Sequence, residues 1–173
     1  TNSEMRALIS LLSATIESTA DGILVINKKG KIVSFNQKFV EMWHIPQQII
    51  ESRDDDQALS FVLDQLKDPE GFLRKVRELY ANPEAESYDK LLFKDGRVVE
   101  RYSKPQRIGQ AVAGRVWSFR DITERKRAEE RLVRSEEYFR ALIENSSDII
   151  IIVDKKGTIT YTSPSIERFL GYK

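Results

Sequence analysis

The chain has no cysteine, so disulfides, thiolate nucleophiles and cysteine metal ligands are excluded. It has one histidine, His44. A lone imidazole does not build a metal site, so no metal is expected. Glycine is sparse, with 8 in 173 residues, and Gly109 and Gly114 are too scattered to cradle a phosphate. Charge of one sign is also missing: 28 basic residues against 27 acidic give a formal net charge of +1. A nucleic-acid footprint needs a clustered basic face, so no nucleic-acid partner is expected. No apolar run approaches the roughly 18–20 residues of a membrane span. The N-terminal stretch lacks a signal-peptide pattern. The expectation is a cytoplasmic chain with no direct membrane contact.

What is present is a repeat. Residues 14–45 align without a gap against residues 141–172, an offset of 127 positions. The first copy reads Ile23-Leu24-Val25-Ile26-Asn27-Lys28-Lys29-Gly30-Lys31-Ile32, and the second Ile150-Ile151-Ile152-Val153-Asp154-Lys155-Lys156-Gly157-Thr158-Ile159. Each spells strand, turn, strand. The period exceeds the 20–50 residues of solenoid repeats, so the repeating unit is a domain. The expected organisation is an amphipathic helix over 1–20, a domain over 21–123, a connector over 124–146 and the truncated start of a second domain over 147–173.

Along the first copy, Met5, Leu8, Ile9, Leu12 and Ile16 have helical spacing. Such a helix packs either on its own domain or on a second subunit. Asn27 to Gly30 suits a type I turn between two strands. Asn36 is placed as a helix N-cap, and Phe39, Met42 and Trp43 form one face of the helix behind it. In the second copy, Ser163-Pro164 supplies a capping hydroxyl and then proline at the first helical position. Two further helices are expected over 58–66, with Asp56 as cap, and 69–80. Strands follow over 87–93 and 98–103, joined by Asp95-Gly96 as a two-residue hairpin. A loose connection over 106–110 leads to a last strand over 112–120. The order β-β-α-α-α-β-β-β marks an α+β domain.

The segment 124–140 is dense in charge. A weak 4-3 seam runs through Arg125, Ala128, Leu132, Ser135, Phe139 and Leu142. The segment is either a solvated rigid spacer or a coiled coil in a homodimer. As one helix it would span about 33 Å.

The element order, the Asn-Lys-Lys-Gly hairpin, the Asn36 cap and the closing Trp117-Ser-Phe-Arg-Asp121-Ile-Thr123 together resemble a PAS domain. The resemblance covers residues 14–145, and residues 146–173 look like the opening of a second such domain. It implies a PAS fold: a five-stranded antiparallel sheet in order 2-1-5-4-3, helices on one face, and flanking N-terminal and C-terminal helices. It implies a bacterial sensory and dimerisation module that passes a change through a helical linker to an output domain. The favoured output is the histidine kinase of a two-component system. The alternatives are a diguanylate cyclase or phosphodiesterase, or a ligand-free dimerisation spacer. The fragment itself is not expected to be an enzyme.

Family members with flavin-adduct photochemistry need a cysteine, and haem-binding members use a histidine on the helix before the third strand. Neither residue is present here. Asp54-Asp55-Asp56 reads as a solvated loop. The aromatics Phe39, Trp43, Phe72, Tyr80, Tyr102, Trp117 and Phe119 wall either a filled core or a cavity. The candidate ligand-binding residues are Phe39, Trp43, Tyr102, Trp117 and Arg101. The ligand is unknown; a non-covalent small molecule, including flavin stacked on Trp117, suits such a wall. The candidate signal-transmission residues are Asp121, Thr123, Leu132, Phe139 and Leu142, and the expected partners are a second copy and the downstream domain of the same chain.

Overall fold

A computed structural model describes residues 1–171. Tyr172, the last residue of the expected repeat, and Lys173 lie outside the described residues. The chain divides into two compact units, Thr1–Glu124 and Arg125–Lys173.

The first unit opens with α1 (Asn2–Glu17), capped by Thr1 and Glu4 in a reciprocal capping box. None of its residues is buried. Strands β1 (Gly22–Asn27) and β2 (Ile32–Phe35) form a hairpin. Four helices follow: α2 (Gln37–Met42), α3 (Gln47–Ser52), α4 (Asp55–Leu63) and α5 (Pro69–Ala81). Strands β3 (Ser87–Leu92), β4 (Val98–Ile108) and β5 (Ala111–Asp121) complete an antiparallel sheet in order β2-β1-β5-β4-β3. The expected α+β architecture and strand order are therefore observed.

The core lies between one sheet face and the helices. Ile26, Leu91, Val99, Trp117 and Phe119 from the sheet meet Phe39, Trp43, Val62, Phe72 and Leu79 from the helices. Strand parity makes this possible, because alternate side chains of each strand reach the same face.

Asn36 fixes the hairpin to the first helix. Its Oδ1 accepts from Ile23 N at 2.8 Å and, as the α2 cap, from Phe39 N at 3.0 Å. Its Nδ2 donates to Ile16 O at 3.0 Å and Asp21 O at 2.9 Å. All this occurs in a fully buried residue, where an unmade hydrogen bond is costly.

Several local expectations are corrected. A fourth helix, α3, was not anticipated. The α4 cap is Asp54, which accepts from Asp56 N and Gln57 N, rather than Asp56. Phe93 and Arg97 close a three-residue loop, not a two-residue one, with Gly96 at φ +92°. The tight hairpin is instead the supposed loose connection. There Ile108 pairs with Ala111 across Gly109-Gln110, and β4 runs on through Pro105.

The second unit takes in nearly all of α6 (Thr123–Asn145), then β6 (Ile151–Val153), β7 (Ile159–Thr162) and α7 (Ser165–Leu170). Its hairpin reproduces the first bond for bond. Asn27 N donates to Lys31 O at 2.9 Å, as Asp154 N does to Thr158 O. The register shifts at Val25/Ile26 in one copy and at Ile152/Val153 in the other. Ser163 stands where Asn36 stands, and its hydroxyl accepts from Ile150 N at 2.9 Å as Asn36 accepts from Ile23 N. It does not cap α7 as expected: its hydroxyl is engaged by Ile150 and Ser165, and Pro164 precedes the helix without a side-chain cap.

Candidate functional site

A cavity of about 950 Å³ opens between the sheet and α2 to α5 of the first unit. Its floor is Leu24 and Ile26 from β1 with Trp117 and Phe119 from β5. Phe39 and Val40 come from α2 and Trp43 from its C-cap, Ile49 and Ile50 from α3, Leu59 and Val62 from α4, and Phe72, Val76 and Tyr80 from α5. The volume lies at the upper end of the range for small-molecule sites, and the inner part of the lining, formed by these side chains, is apolar and aromatic.

The mouth is charged. Lys29 and Lys31 of the β1–β2 turn face Glu51, Arg53, Asp54, Asp55 and Asp56 around α3 and α4. Lys31 Nζ lies 3.8 Å from Asp55 Oδ2. The Tyr80 hydroxyl end sits against the turn, where a Cβ on Gly30 would come within 3.2 Å of it. Burial pushes the Tyr80 phenol above its ordinary value, against the opposing charge of Arg115.

Of the expected ligand-contacting residues, Phe39, Trp43 and Trp117 line this cavity. Arg101 does not line it but stacks on its wall, with its guanidinium carbon 4.4 Å from the Phe72 ring centre and 5.3 Å from that of Trp117. It is fully buried and pairs in two-pronged fashion with Asp89, at 2.8 Å and 2.6 Å. Tyr102 is a correction. It faces the opposite side of the sheet, where its ring packs 4.8 Å from that of Tyr88. Neighbours on a strand point to opposite faces, so Arg101 and Tyr102 cannot share one wall.

The cavity floor is physically continuous with the start of α6. Trp117 and Phe119 lie on β5, which ends at Asp121. Asp121 Oδ1 accepts from Thr123 N at 2.9 Å and from Thr123 Oγ1 at 2.5 Å. Thr123 Oγ1 accepts in turn from Val98 N at 3.1 Å, and Ile122 N donates to Val98 O at 2.9 Å. The first residue of α6 is thus tied to both β4 and β5. Further along α6, Leu132, Phe139 and Leu142 are all exposed.

Sequence reasoning missed the contribution of α3 to the wall. The only signal was the Ile49-Ile50 pair, too short a run to show a period. It also missed Arg97, whose guanidinium carbon lies 4.4 Å from the Phe93 ring centre and whose Nη1 donates to Met42 O.

A family profile described as PAS fold matches residues 16–130, and a second PAS-fold profile matches residues 137–173. The chain belongs to the PAS family. Among solved structures, the PAS domain of a Colwellia psychrerythraea protein is 19% identical, with 68% of this chain and 98% of that one covered and a TM-score of 0.46. The PAS domain of Bordetella pertussis BvgS is 18% identical, covering 76% and 98%, with a TM-score of 0.49. The sensor region of a sensor histidine kinase is 13% identical, covering 61% and 40%, with a TM-score of 0.48. No curated protein matches. Among the described residues of this PAS chain, no helix is long and apolar enough to cross a membrane.

Proposed function

We propose that the first PAS unit is a sensory module whose cavity takes a small molecule and whose β5 strand passes occupancy on to α6. The observation that carries this reading is the position of β5. One strand supplies Trp117 and Phe119 to the cavity floor and Asp121 to the lock on Thr123. A ligand that favours one arrangement of the floor biases the start of α6 by its differential affinity for the two states. The reading assigns no catalytic step to this chain and places it in the cytoplasm. The output is a downstream domain of the same protein, with a histidine kinase favoured and a cyclase or phosphodiesterase as the alternative; this choice rests on the company such modules keep in the family.

A second reading is a ligand-free dimerisation spacer. It is favoured by the exposed apolar side chains of α1 and α6, among them Leu8, Leu12, Leu132 and Phe139.

Native mass spectrometry of the chain purified undenatured from its source separates the two. The sensor reading expects a stoichiometric small molecule, and its removal should change amide exchange in the first turns of α6. No bound mass in repeated preparations, with exchange unmoved by any added ligand, would leave only the spacer.

A further inference from the structure

The last carbonyls of a helix have no partner within it. At the end of α2 they are held from outside. Gln65 Nε2 donates to Trp43 O at 2.7 Å, and Arg97 Nη1 donates to Met42 O. The helix so anchored carries Phe39 and Val40 into the cavity wall, with Trp43 at its C-cap.

Arg97 is itself closely fixed. Its Nε donates to Asp95 Oδ2 at 2.8 Å and its backbone N to Asp95 Oδ1 at 3.0 Å. Its Nη2 reaches Gln65 Oε1 at 3.5 Å, and its guanidinium carbon stands 4.4 Å from the Phe93 ring centre. The end of α2, the α4–α5 connection and the β3–β4 turn thus meet on one guanidinium. Its planar fork of donors suits such a junction.

The next residue is Val98, where β4 begins. Val98 N donates to Thr123 Oγ1 at 3.1 Å, and Val98 O accepts from Ile122 N at 2.9 Å. The side chain of Arg97 therefore holds the end of a cavity helix, while its peptide neighbour holds the first residue of α6. Strand β5 reaches the same lock from the cavity floor. Arg97 reaches it from the helical wall.

We propose that Arg97 is a positioning residue that couples the α2 wall of the cavity to the start of α6 through Val98. This rests on the ligand-cavity reading and deepens it, by giving that site a second line of transmission beside β5. A molecule seated against Phe39 and Val40 biases the end of α2. Arg97 passes a displacement of Met42 O to the backbone at Val98. Coupling between two sites is reciprocal, so loosening the first residue of α6 alters ligand affinity by the same factor.

Adjacency alone does not establish coupling, and a cycle of variants measures it. The probe is N-phenyl-1-naphthylamine, an apolar fluorophore that brightens out of water. Its Kd is measured on the full chain as wild type, Thr123→Val, Arg97→Met and the double variant. Thr123→Val takes the acceptor from Val98 N without touching the cavity. Arg97→Met keeps an apolar stem beside Phe93 and removes the donors. Thr123→Val should shift the Kd by about fivefold or more in the wild-type background, and by less than about twofold beside Arg97→Met. If Arg97→Met fails to fold, nitrogen-15 spectra of the wild type decide. The Arg97 Nε–H resonance, identified by its loss in Arg97→Lys, should move on probe binding together with the Val98 and Ile122 amides. A still Arg97 resonance with the probe bound, or a Thr123→Val shift that survives in full beside Arg97→Met, would overturn the role of Arg97 and leave β5 as the route. No effect of Thr123→Val on the Kd would overturn transmission by either route and leave the cavity standing. Absence of probe binding would overturn the cavity reading and this inference together.

Discussion

Asn36 and Ser163 solve one problem with different atoms. Each stands at the exit of its hairpin and accepts the amide two strands' length upstream, from Ile23 or Ile150. Asn36 does more, because its amide also caps α2 and donates to Ile16 O and Asp21 O. Asn36→Ala would strand the amide donors of Ile23 and Phe39 and leave Ile16 O and Asp21 O with Thr19 alone, and should destabilise the first unit by about 2–4 kcal/mol. Asn36→Ser, borrowing the chemistry of the second copy, keeps one acceptor and should cost about half as much. Urea midpoints of the two variants check this ordering. An Asn36→Ala midpoint indistinguishable from wild type would show that the bonds are not needed. This residue was legible in the sequence because its role is local: a short side chain after a strand and three positions before Phe39. Tyr102 was misread for the opposite reason. Its aromatic character says nothing about face, whereas the parity of Arg101 and Ser103, both buried inward, would have excluded it.

At the scale of elements, the sequence revealed what turns and caps dictate and hid what neighbouring strands decide. The hairpins at Gly30 and Gly157 were plain because Asn or Asp followed three positions later by glycine is turn chemistry. The six residues of α3 are too few for a helical period to emerge. The strand expected over 98–103 stops short of Pro105, yet β4 continues through it. The pairing of β3 stops at the Ser87–Ser103 pair, so Pro105 has only β5 beside it, where proline is tolerated as on an edge. Neighbours also separate the two copies of the hairpin. Ile26 is 4% exposed and its counterpart Val153 55%. Strand β1 lies between β2 and β5, whereas β6 pairs with β7 alone. A two-stranded hairpin is marginally stable in water. Amides of β6 and β7 should therefore exchange about tenfold or more faster than those of β1 in this chain. Equal protection factors at the matched positions would mean that the second hairpin gains cover in solution, from a second copy or from elsewhere in the chain.

At the scale of the whole molecule, α1 and α6 present apolar faces on which a second copy would pack. Both helices expose large side chains: Met5, Leu8, Ile9 and Leu12 on one, Leu132, Phe139 and Leu142 on the other. A helix draws most of its stability from packing an apolar face rather than from its own propensity. The ion pairs Arg125–Glu129 at 4.0 Å and Lys126–Glu129 at 3.9 Å support α6 on its surface, but such pairs are worth only about 0.3–0.5 kcal/mol each. The expected outcome is a homodimer with the Leu132–Phe139–Leu142 seam of α6 buried against its copy, measured by sedimentation velocity of the full chain. Leu132 and Phe139 are 61% and 59% exposed, so charging them costs the folded chain little. The double variant Leu132→Glu, Phe139→Glu should weaken the dimer by a hundredfold or more, since each buried side chain of this size contributes about 1.5–3 kcal/mol. The first unit should keep its urea midpoint and its cavity binding in this variant, because neither residue belongs to it. A wild-type chain that stays monomeric at high concentration would refute the seam. A dimer untouched by the double substitution would move the interface to α1, where Leu8→Glu becomes the deciding variant.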